Sequence, residues 1–420
     1  MSSEWKTLLL GDVYEYCSGL SKPRSEFGSG HPFLGFKDVF YNSAVPKVLN
    51  ELVRSTQQEQ NRCSIKRGDL FLTRTSETMD ELGMSSVALK DYPNATFNGF
   101  TKRLRPKSSD VIAPEYARYY FRSTHFRQSV NAMSTMSTRA SLNNEILDRL
   151  QVVLPPLKEQ KCIGYLLATL DDKIELNRKT NETLEAMAKA LFKSWFVDFN
   201  PVRAKAEGRP TGLPAEISDL FPDSFEDSEL GEIPSGWSIA ALSDIAHIST
   251  GKRPESVADS RSSANHIPVY GGAGIMGYTC SALIDGGPIL ATGRVGTLGV
   301  VNRVLEKAWI SDNTLIINPG KTSFVYVYHY LLRQDLKSLN RGSTQPLLSQ
   351  TELKSLPIAT PPRSLLSTFC ELTQHWQERQ TSLIKDNVNT KALLDALLPK
   401  LISGEIRIPD AERMLEEVGV

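Results

Sequence analysis

The 420-residue sequence predicts an α+β protein in which two mixed α/β domains are separated by two long helices that form an antiparallel coiled coil. Three observations predict this fold. An internal repeat implies two copies of one structural unit, related by pseudo-twofold symmetry. Each copy ends in a Pro-Pro pair followed by a helix with heptad spacing. Short β-like runs bounded by glycine, asparagine and proline fill the rest of each copy.

The repeat is ungapped near the end of each copy. Residues 137–160 (STRASLNNEILDRLQVVLPPLKEQ) match residues 343–366 (STQPLLSQTELKSLPIATPPRSLL) at a constant shift of 206. An earlier match places Gly19 on Gly251 at a shift of 232, so the first copy holds 26 extra residues in its interior. Differences between the copies therefore lie between a shared opening and a shared end.

The repeat divides the chain into six segments. We expect a first α/β domain at 1–156, a helix at 157–199, an acidic linker at 200–236, a second α/β domain at 237–360, a second helix at 361–405 and a carboxyl-terminal tail at 406–420. The two domains carry net charges of +4 and +3, whereas residues 197–236 carry −6. The net charge of zero for the whole chain thus hides two mildly basic domains that could bind phosphates. The alternative is that these charges belong to an ordinary solvated surface.

Within the domains, period and composition separate strands from helices. The predicted helices are residues 114–130 and 323–339, whose aromatic side chains we expect in the core. The predicted strands are residues 69–74, 86–89, 100–105, 288–294, 298–304 and 313–319.

Both long helices carry a heptad seam with apolar ends and a polar middle. The seam positions are Ile163, Leu167, Leu170, Ile174, Asn177, Asn181, Leu184, Ala188, Leu191 and Trp195 in the first helix, and Phe369, Thr373, Trp376, Gln380, Leu383, Asn387, Thr390, Leu394, Leu397 and Leu401 in the second. Asn181 and Asn387 are equivalent in the repeat, and we expect them to face each other as a polar layer that fixes register. Two independent amphipathic helices on separate cores are the alternative.

Several classes of protein are disfavoured. The amino terminus lacks the basic start and apolar run of an export signal, and no stretch approaches ~18 apolar residues, so we expect a cytoplasmic protein without a membrane segment. The five cysteines are scattered with no Cys-x-x-Cys pair, so we expect no disulfide and no metal site.

The run YGGAGIMGY (270–278) contains Gly272, Gly274 and Gly277 at the spacing of a dinucleotide-binding fingerprint. That fingerprint needs a helix opening within it, and the following residues show no helical pattern. We interpret it as a glycine turn that brings backbone close to a neighbouring strand or a phosphate. We found no other catalytic motif, so no catalytic residue is predicted.

Three segments resemble the specificity subunit of type I restriction–modification enzymes. They are residues 154–208, containing LDDKIELNRKTNETLEAMAKALFKSWFVDFNPVRAKAEG, residues 220–237 (LFPDSFEDSELGEIPSGW) and residues 397–409 (LLPKLISGEIRIP). The runs HIPVYGGAGIMGY and ILATGRVGTLGVV resemble the second target-recognition domain of that family. With the two-copy order, the resemblance accounts for nearly the whole chain.

The resemblance implies a non-catalytic reader of double-stranded DNA. Each target-recognition domain would bind one half of a bipartite target, and the coiled coil would set the spacer and dock two modification subunits. Those partners would carry S-adenosylmethionine and adenine methylation, so this chain would hold no cofactor, and restriction subunits would join them. A coiled-coil scaffold or an orphan DNA-binding regulator without restriction partners is the alternative.

Basic residues beside glycine-rich or hydroxyl-rich turns are the candidates for DNA contact. Arginine matches guanine, glutamine matches adenine, and lysine more often holds phosphate. The candidates are Lys22, Arg24, Arg74, Lys102, Arg103, Arg105 and Arg139 in the first domain, and Lys252, Arg253, Gly272, Gly274, Arg294 and Gln345 in the second. For any one of them, plain surface charge is the alternative. Because the two domains differ in sequence and length, we expect an asymmetric target.

Overall fold

The computed structural model describes residues 5–76, 81–133, 140–320, 323–342 and 344–418. The chain forms two compact units. The first comprises Met1–Arg178 and Ile384–Val420, and the second comprises Lys179–Leu383. Each unit therefore contains one α/β domain and a part of each long helix.

The first unit is built from short strands and helices followed by a long helix. Its strands are β1 (Lys6–Leu9), β2 (Tyr14–Ser18), β3 (Phe27–Leu34), β4 (Glu51–Val53), β5 (Leu70–Thr73), β6 (Thr75–Ser76), β7 (Ser85–Val87), β8 (Thr96–Phe97), β9 (Thr101–Pro106), β10 (Ala140–Ser141) and β11 (Gln151–Leu154). Its helices are α1 (Leu10–Val13), α2 (Phe36–Tyr41), α3 (Gln57–Arg62), α4 (Pro114–Tyr120), α5 (Thr124–Met133), α6 (Asn144–Arg149) and the first part of α7 (Leu157–Phe196).

The second unit has a similar composition, and the chain then returns to the first unit. Its strands are β12 (Phe225–Ser228), β13 (Gly231–Pro234), β14 (Ser238–Ala241), β15 (His247–Thr250), β16 (Ile267–Gly271), β17 (Gly274–Thr279), β18 (Ile289–Gly293), β19 (Val301–Val304), β20 (Trp309–Ile310), β21 (Thr314–Asn318) and β22 (Pro357–Thr360). The remaining helices are α8 (Asn200–Ala206), α9 (Ala215–Ser218), α10 (Leu242–Ile245), α11 (Phe324–Arg333), α12 (Gln350–Lys354), α13 (Arg363–Ser403) and α14 (Ile408–Val418).

The two domains share one topology, which confirms the pseudo-twofold repeat. The sheet β2-β9-β5-β7 corresponds to β15-β21-β18-β19, the sheet β4-β3-β8 to β17-β16-β20, and the pair β1-β11 to β14-β22. Gly19 and Gly251, which match in the repeat, are both required to be glycine for the same physical reason. A Cβ atom on Gly19 would lie 2.3 Å from the carbonyl oxygen of Asn98, and one on Gly251 would lie 2.2 Å from that of Ser311. Only glycine fits where backbone approaches this closely.

The six predicted strands coincide with β5, β7, β9, β18, β19 and β21. The two predicted helices are shorter than expected. The first is divided into α4 and α5 because Ser123 caps a new helix, its hydroxyl accepting from the Phe126 amide at 3.3 Å. The second ends at Arg333, and the Asp335 carboxylate then accepts from the Ser338 amide at 3.3 Å in a turn. Its aromatic residue Tyr326 lies in the core, as expected.

The long helices α7 and α13 run antiparallel. In the first unit, Leu170 near the start of α7 shares a core with Leu394 near the end of α13. In the second, Trp195 near the end of α7 lies 5.9 Å from Phe369 near the start of α13, between ring centroids. Every seam position is buried or half-buried. Within the described residues, no helix is both long and apolar enough to cross a membrane.

The expected pairing of Asn181 with Asn387 is wrong. The Nδ2 of Asn177 donates to the Oδ1 of Asn387 at 2.9 Å, and Asn387 itself donates to the Ile174 carbonyl at 3.2 Å. The carbonyl of Asn181 instead accepts from Gln380 at 3.1 Å. In an antiparallel pair, residue numbers run in opposite directions along the seam. Equivalence in the repeat therefore does not make two residues neighbours, and the residue facing Asn387 lies one seam position before Asn181.

The linker and the tail are both ordered and packed. Phe221 in the linker is buried and meets the Trp195 ring edge to face at 5.1 Å. Gly404 ends α13 with φ of +74°, the left-handed conformation common after a helix. The tail then forms α14, where Ala411 is fully buried in the core of the first unit. Both segments therefore belong to the domain cores.

Candidate nucleic-acid interface

Loops of the second unit meet at one edge of its sheets. The Lys252 amide donates to the carbonyl of Ile310 at 2.9 Å, which fixes the loop after β15 beside β20. The Ser311 amide donates to the carbonyl of Tyr270 at 3.0 Å, which ties the loop after β20 to β16. We name residues 251–253, 271–274, 294–297, 311–313 and 344–347 the second loop edge.

Two further hydrogen bonds complete the second loop edge. The Arg294 amide donates to the carbonyl of Asn313 at 2.8 Å, and the Gly296 amide donates to that of Pro346 at 3.0 Å. The edge therefore gathers the six candidates of this domain, namely Lys252, Arg253, Gly272, Gly274, Arg294 and Gln345.

The side chains at this edge differ in availability. Lys252, Arg253 and Gln345 are exposed, and Arg294 is half-buried. A Cβ atom on Gly272 would lie 2.9 Å from the carbonyl oxygen of Thr297, so the close approach of this glycine is to the protein's own backbone. The cations are the groups of the second loop edge that could meet a polyanion.

The first unit has a corresponding first loop edge, defined by residues 19–24, 74 and 98–100. The Leu20 amide donates to the carbonyl of Phe97 at 2.8 Å, and the Arg74 amide donates to that of Phe100 at 3.0 Å. Arg24 is exposed and Arg74 is half-buried.

Lys22 is held by carboxylates at this edge. Its Nζ lies 2.8 Å from Glu59 and 3.0 Å from Glu26. The hydrogen bond that Lys22 donates to the Glu59 carboxylate raises the pKa of Lys22 above its usual value. Lys22 therefore shapes the turn, and its charge is already balanced.

Three first-domain candidates are either buried or already paired within the domain, and we remove them from the candidate interface. Lys102 and Arg103 are only 7% and 8% exposed, and burial lowers the pKa of each. Lys102 donates to Asn144, and Arg103 donates to the carbonyl of Ser64 at 2.7 Å. Arg105 forms a two-pronged ion pair with Asp69 at 2.7 and 2.6 Å. The physical reason is that β9 lies between β2 and β5 in its sheet, where Lys102 and Arg103 are buried and Arg105 meets the buried Asp69. Arg139, another candidate, lies outside the described residues.

Sequence reasoning passed over apolar residues that are exposed at the loop edges. In the first domain, Phe100 is 58% exposed beside Arg74. In the second, Ile275 and Met276 are 53% and 56% exposed beside the glycine turn. The sequence pattern that could have indicated Ile275 and Met276 is GIMG, in which two apolar residues lie between glycines. Such a pattern is not typical of a buried strand.

Each domain is fixed to the long helices by an arginine. In the first unit, Arg118 of α4 pairs with Asp171 of α7 at 2.8 Å. In the second, Arg303 of β19 donates to Gln380 of α13 at 2.9 Å and lies 3.3 Å from Glu185 of α7. These contacts are partly buried, where charge-assisted hydrogen bonds are stronger than in water. The loop edges are therefore presented by domains anchored on the helices.

A family model for the type I restriction modification DNA specificity domain matches residues 2–186 and 234–365. The MjaIX specificity subunit of Methanocaldococcus jannaschii is 24% identical, over 97% of this chain and 94% of that protein. The HindI specificity subunit of Haemophilus influenzae is 25% identical, over 96% of this chain and its own full length (100%). The crystal structure of a type I S subunit from M. genitalium shares the fold with a TM-score of 0.63 at 13% identity, covering 96% of this chain and 97% of that one. The chain therefore belongs to the family of type I restriction enzyme specificity subunits.

Proposed function

We propose that the chain is the DNA sequence-recognition subunit of a type I restriction–modification complex, in which each domain reads one half of a bipartite target. The observation that carries the proposal is the duplication of one topology with a cation at the same loop, Arg74 in one domain and Arg294 in the other. A cation at the same exposed loop of both domains is the arrangement expected of two domains that contact one phosphate-lined duplex.

The target of this subunit is asymmetric. The second loop edge carries Lys252, Arg253 and Gln345, whereas the first carries Arg24 and a balanced Lys22. Different side chains present different donor and acceptor patterns to the major groove. The coiled coil sets the unread spacer, since the seam from residue 163 to 195 extends ~48 Å at ~1.5 Å per residue, longer than the ~34 Å turn of B-DNA.

The chemistry belongs to partner subunits in this proposal. Two modification subunits dock on the coiled coil and bind S-adenosylmethionine for adenine methylation, and restriction subunits supply cleavage. This chain contributes no catalytic group. It selects the duplex and orients it for its partners.

The test is selection from random double-stranded DNA by this chain reconstituted with its modification subunit. We expect enrichment of two short, dissimilar motifs at a fixed separation. An assembled complex that enriches no sequence would identify a coiled-coil scaffold and refute the proposal. The isolated chain with S-adenosylmethionine serves as the control, and we expect no methylation from it.

A further inference from the structure

The hairpin of β16 and β17 ends in two exposed apolar side chains. Ile275 and Met276 are consecutive residues of β17, and they are 53% and 56% exposed. Tyr270 pairs with Ile275 and Val269 with Gly277, so Met276 is the extra residue of a bulge and the usual alternation of side chains does not apply here. Because β17 is an edge strand of the sheet β17-β16-β20, both side chains remain accessible at the end of the hairpin.

The end of the hairpin is held in place at its base. Gly271 pairs with Gly274 across the turn, and the register shifts at Val269/Tyr270 in a bulge. Beside β17, the amides of Ala258 and Tyr278 each donate to the carbonyl of the other at 2.8 Å. On the other side, the closeness of Gly272 to Thr297 leaves no room for a side chain. The two apolar side chains are therefore presented in a fixed position.

Three cations lie around the tip, together with carboxylates. Lys252 and Arg253 begin the segment that continues to Ala258, and Arg294 lies on the loop against Gly272. Glu255 on the same segment and Asp312 on the second loop edge are exposed carboxylates, and the three cations exceed them by one. An apolar tip flanked by cations complements a ligand that has both phosphates and apolar groups. Duplex DNA has this character, because the thymine C5-methyl lies in the major groove between two phosphate backbones.

Resting on the proposed function, we propose that this hairpin tip enters the major groove of the second half-site and that Ile275 and Met276 recognise thymine through its C5-methyl group. The size of the grooves selects the major one. A two-stranded ribbon fits its width of ~12 Å, whereas the minor groove is ~6 Å wide and presents no methyl group. The tip is thus a determinant of specificity that uses apolar contact, alongside the hydrogen bonds of Arg294.

The experiment removes the methyl group alone. The chain, reconstituted with its modification subunit, methylates target duplexes in which each thymine of the second half-site is replaced in turn by deoxyuridine. Losing a contacted methyl group should lower the methylation rate about fourfold, which is the change expected when one buried carbon loses its apolar contact. The variant carrying Ile275→Ala and Met276→Ala should be about tenfold slower on thymine. It should no longer distinguish thymine from deoxyuridine at the contacted position.

Two controls separate this contact from general effects. Leu332→Ala removes another exposed apolar side chain, 45% exposed on α11, and should match the wild type on every duplex. Deoxyuridine in the first half-site should affect the wild type and the hairpin variant equally. Melting temperatures of both variants should stay close to that of the wild type, because about half of each truncated side chain is already exposed.

The outcomes distinguish this inference from the proposed function. A second half-site without thymine, or one whose thymines all tolerate deoxyuridine, overturns the methyl contact while bipartite methylation continues. A hairpin variant that is slow but still discriminates against deoxyuridine also overturns it. Absence of sequence-specific methylation by the wild-type complex overturns the proposed function, and the inference falls with it.

Discussion

Arg74 and Arg294 occupy the same place in the two halves of the duplicated chain. The Arg74 amide donates to the carbonyl of Phe100 at 3.0 Å, and the carbonyl of Arg74 accepts from Leu142 at 2.8 Å. The Arg294 amide donates to the carbonyl of Asn313 at 2.8 Å, and its carbonyl accepts from Leu348, also at 2.8 Å. Each arginine is thus fixed through both backbone groups at the end of a central strand.

This equivalence locates the 26 extra residues of the first copy. The stretch from Gly19 to Arg74 exceeds its counterpart by 12 residues, and the rest of the first domain exceeds its counterpart by 14. The first insertion includes α2 and α3. Where the second domain has the tight hairpin of β16 and β17, the first domain has β3 and β4, which pair with each other but are far apart in the sequence. The domains therefore share their sheets and differ in the segments beside the loop edges.

We predict that Arg74→Ala and Arg294→Ala each impair one half-site only. Each bidentate arginine contact with guanine is worth about 1–3 kcal/mol of discrimination. Arg74→Ala should relax the sequence preference of the first half-site, and Arg294→Ala that of the second. Methylation rates of duplexes with single base changes in either half measure this.

The matched control for the arginines is Arg209→Ala, which removes an exposed linker arginine paired with Glu207 at 2.5 Å. It should leave both half-sites unchanged. If Arg74→Ala and Arg294→Ala weaken all sequences equally, the two side chains hold phosphate and do not read bases.

The polar layer of the first unit gives a prediction about stability. Asn387→Leu alone should lower stability by about 1–3 kcal/mol, because it leaves the Asn177 amide group without its acceptor. Replacing both residues with leucine should restore or exceed the wild-type melting temperature, since apolar residues often replace buried polar pairs without loss. Differential scanning calorimetry of the three proteins decides this. A double variant less stable than the single one would contradict the pairing.

The two matched glycines should be intolerant of a side chain. Gly19→Ala and Gly251→Ala place a Cβ within 2.3 and 2.2 Å of carbonyl oxygens, and this overpacking against backbone should cost about 3 kcal/mol or more, above the loss at the control position. Gly236→Ala is the control, because it has a φ of +78° and open space, and it should cost about 1–2 kcal/mol from backbone strain alone. Urea denaturation measures all three. Equal losses at Gly236 and Gly251 would remove the steric explanation.

A buried histidine should make the second unit sensitive to acid. Burial lowers the pKa of His329 to about 4, below the ~6.5 of an exposed histidine. Between these values the unfolded chain binds a proton that the folded chain does not. The free energy of unfolding should therefore fall as the pH drops from ~6.5 towards 4, by up to about 3 kcal/mol. His329→Leu should remove this part of the pH dependence in urea denaturation at pH 7 and 4.5, and an unchanged difference would count against it.

The duplication and the heptad seam could be predicted because both appear in the sequence as regularly spaced residues. Leu167 and Leu397, for example, lie where heptad spacing puts them. The sequence could not predict which cations are free. The predicted strand at residues 100–105 is confirmed, but only the sheet order shows that β9 lies between two other strands and that its Arg105 meets Asp69. The partner of Asn387 was missed for a similar reason, since spacing along one helix does not fix the register against another.

The most direct measurement of the central claim is single-molecule sequencing of genomic DNA from cells that express this chain with its modification subunit, compared with cells that lack the chain. We predict adenine methylation at one asymmetric motif made of two unlike parts around a fixed number of unread bases. Exchange of residues 237–360 for those of another family member should alter one part and leave the other part and the spacer unchanged. Methylation at a continuous palindrome, or a pattern indifferent to this chain, would contradict the account.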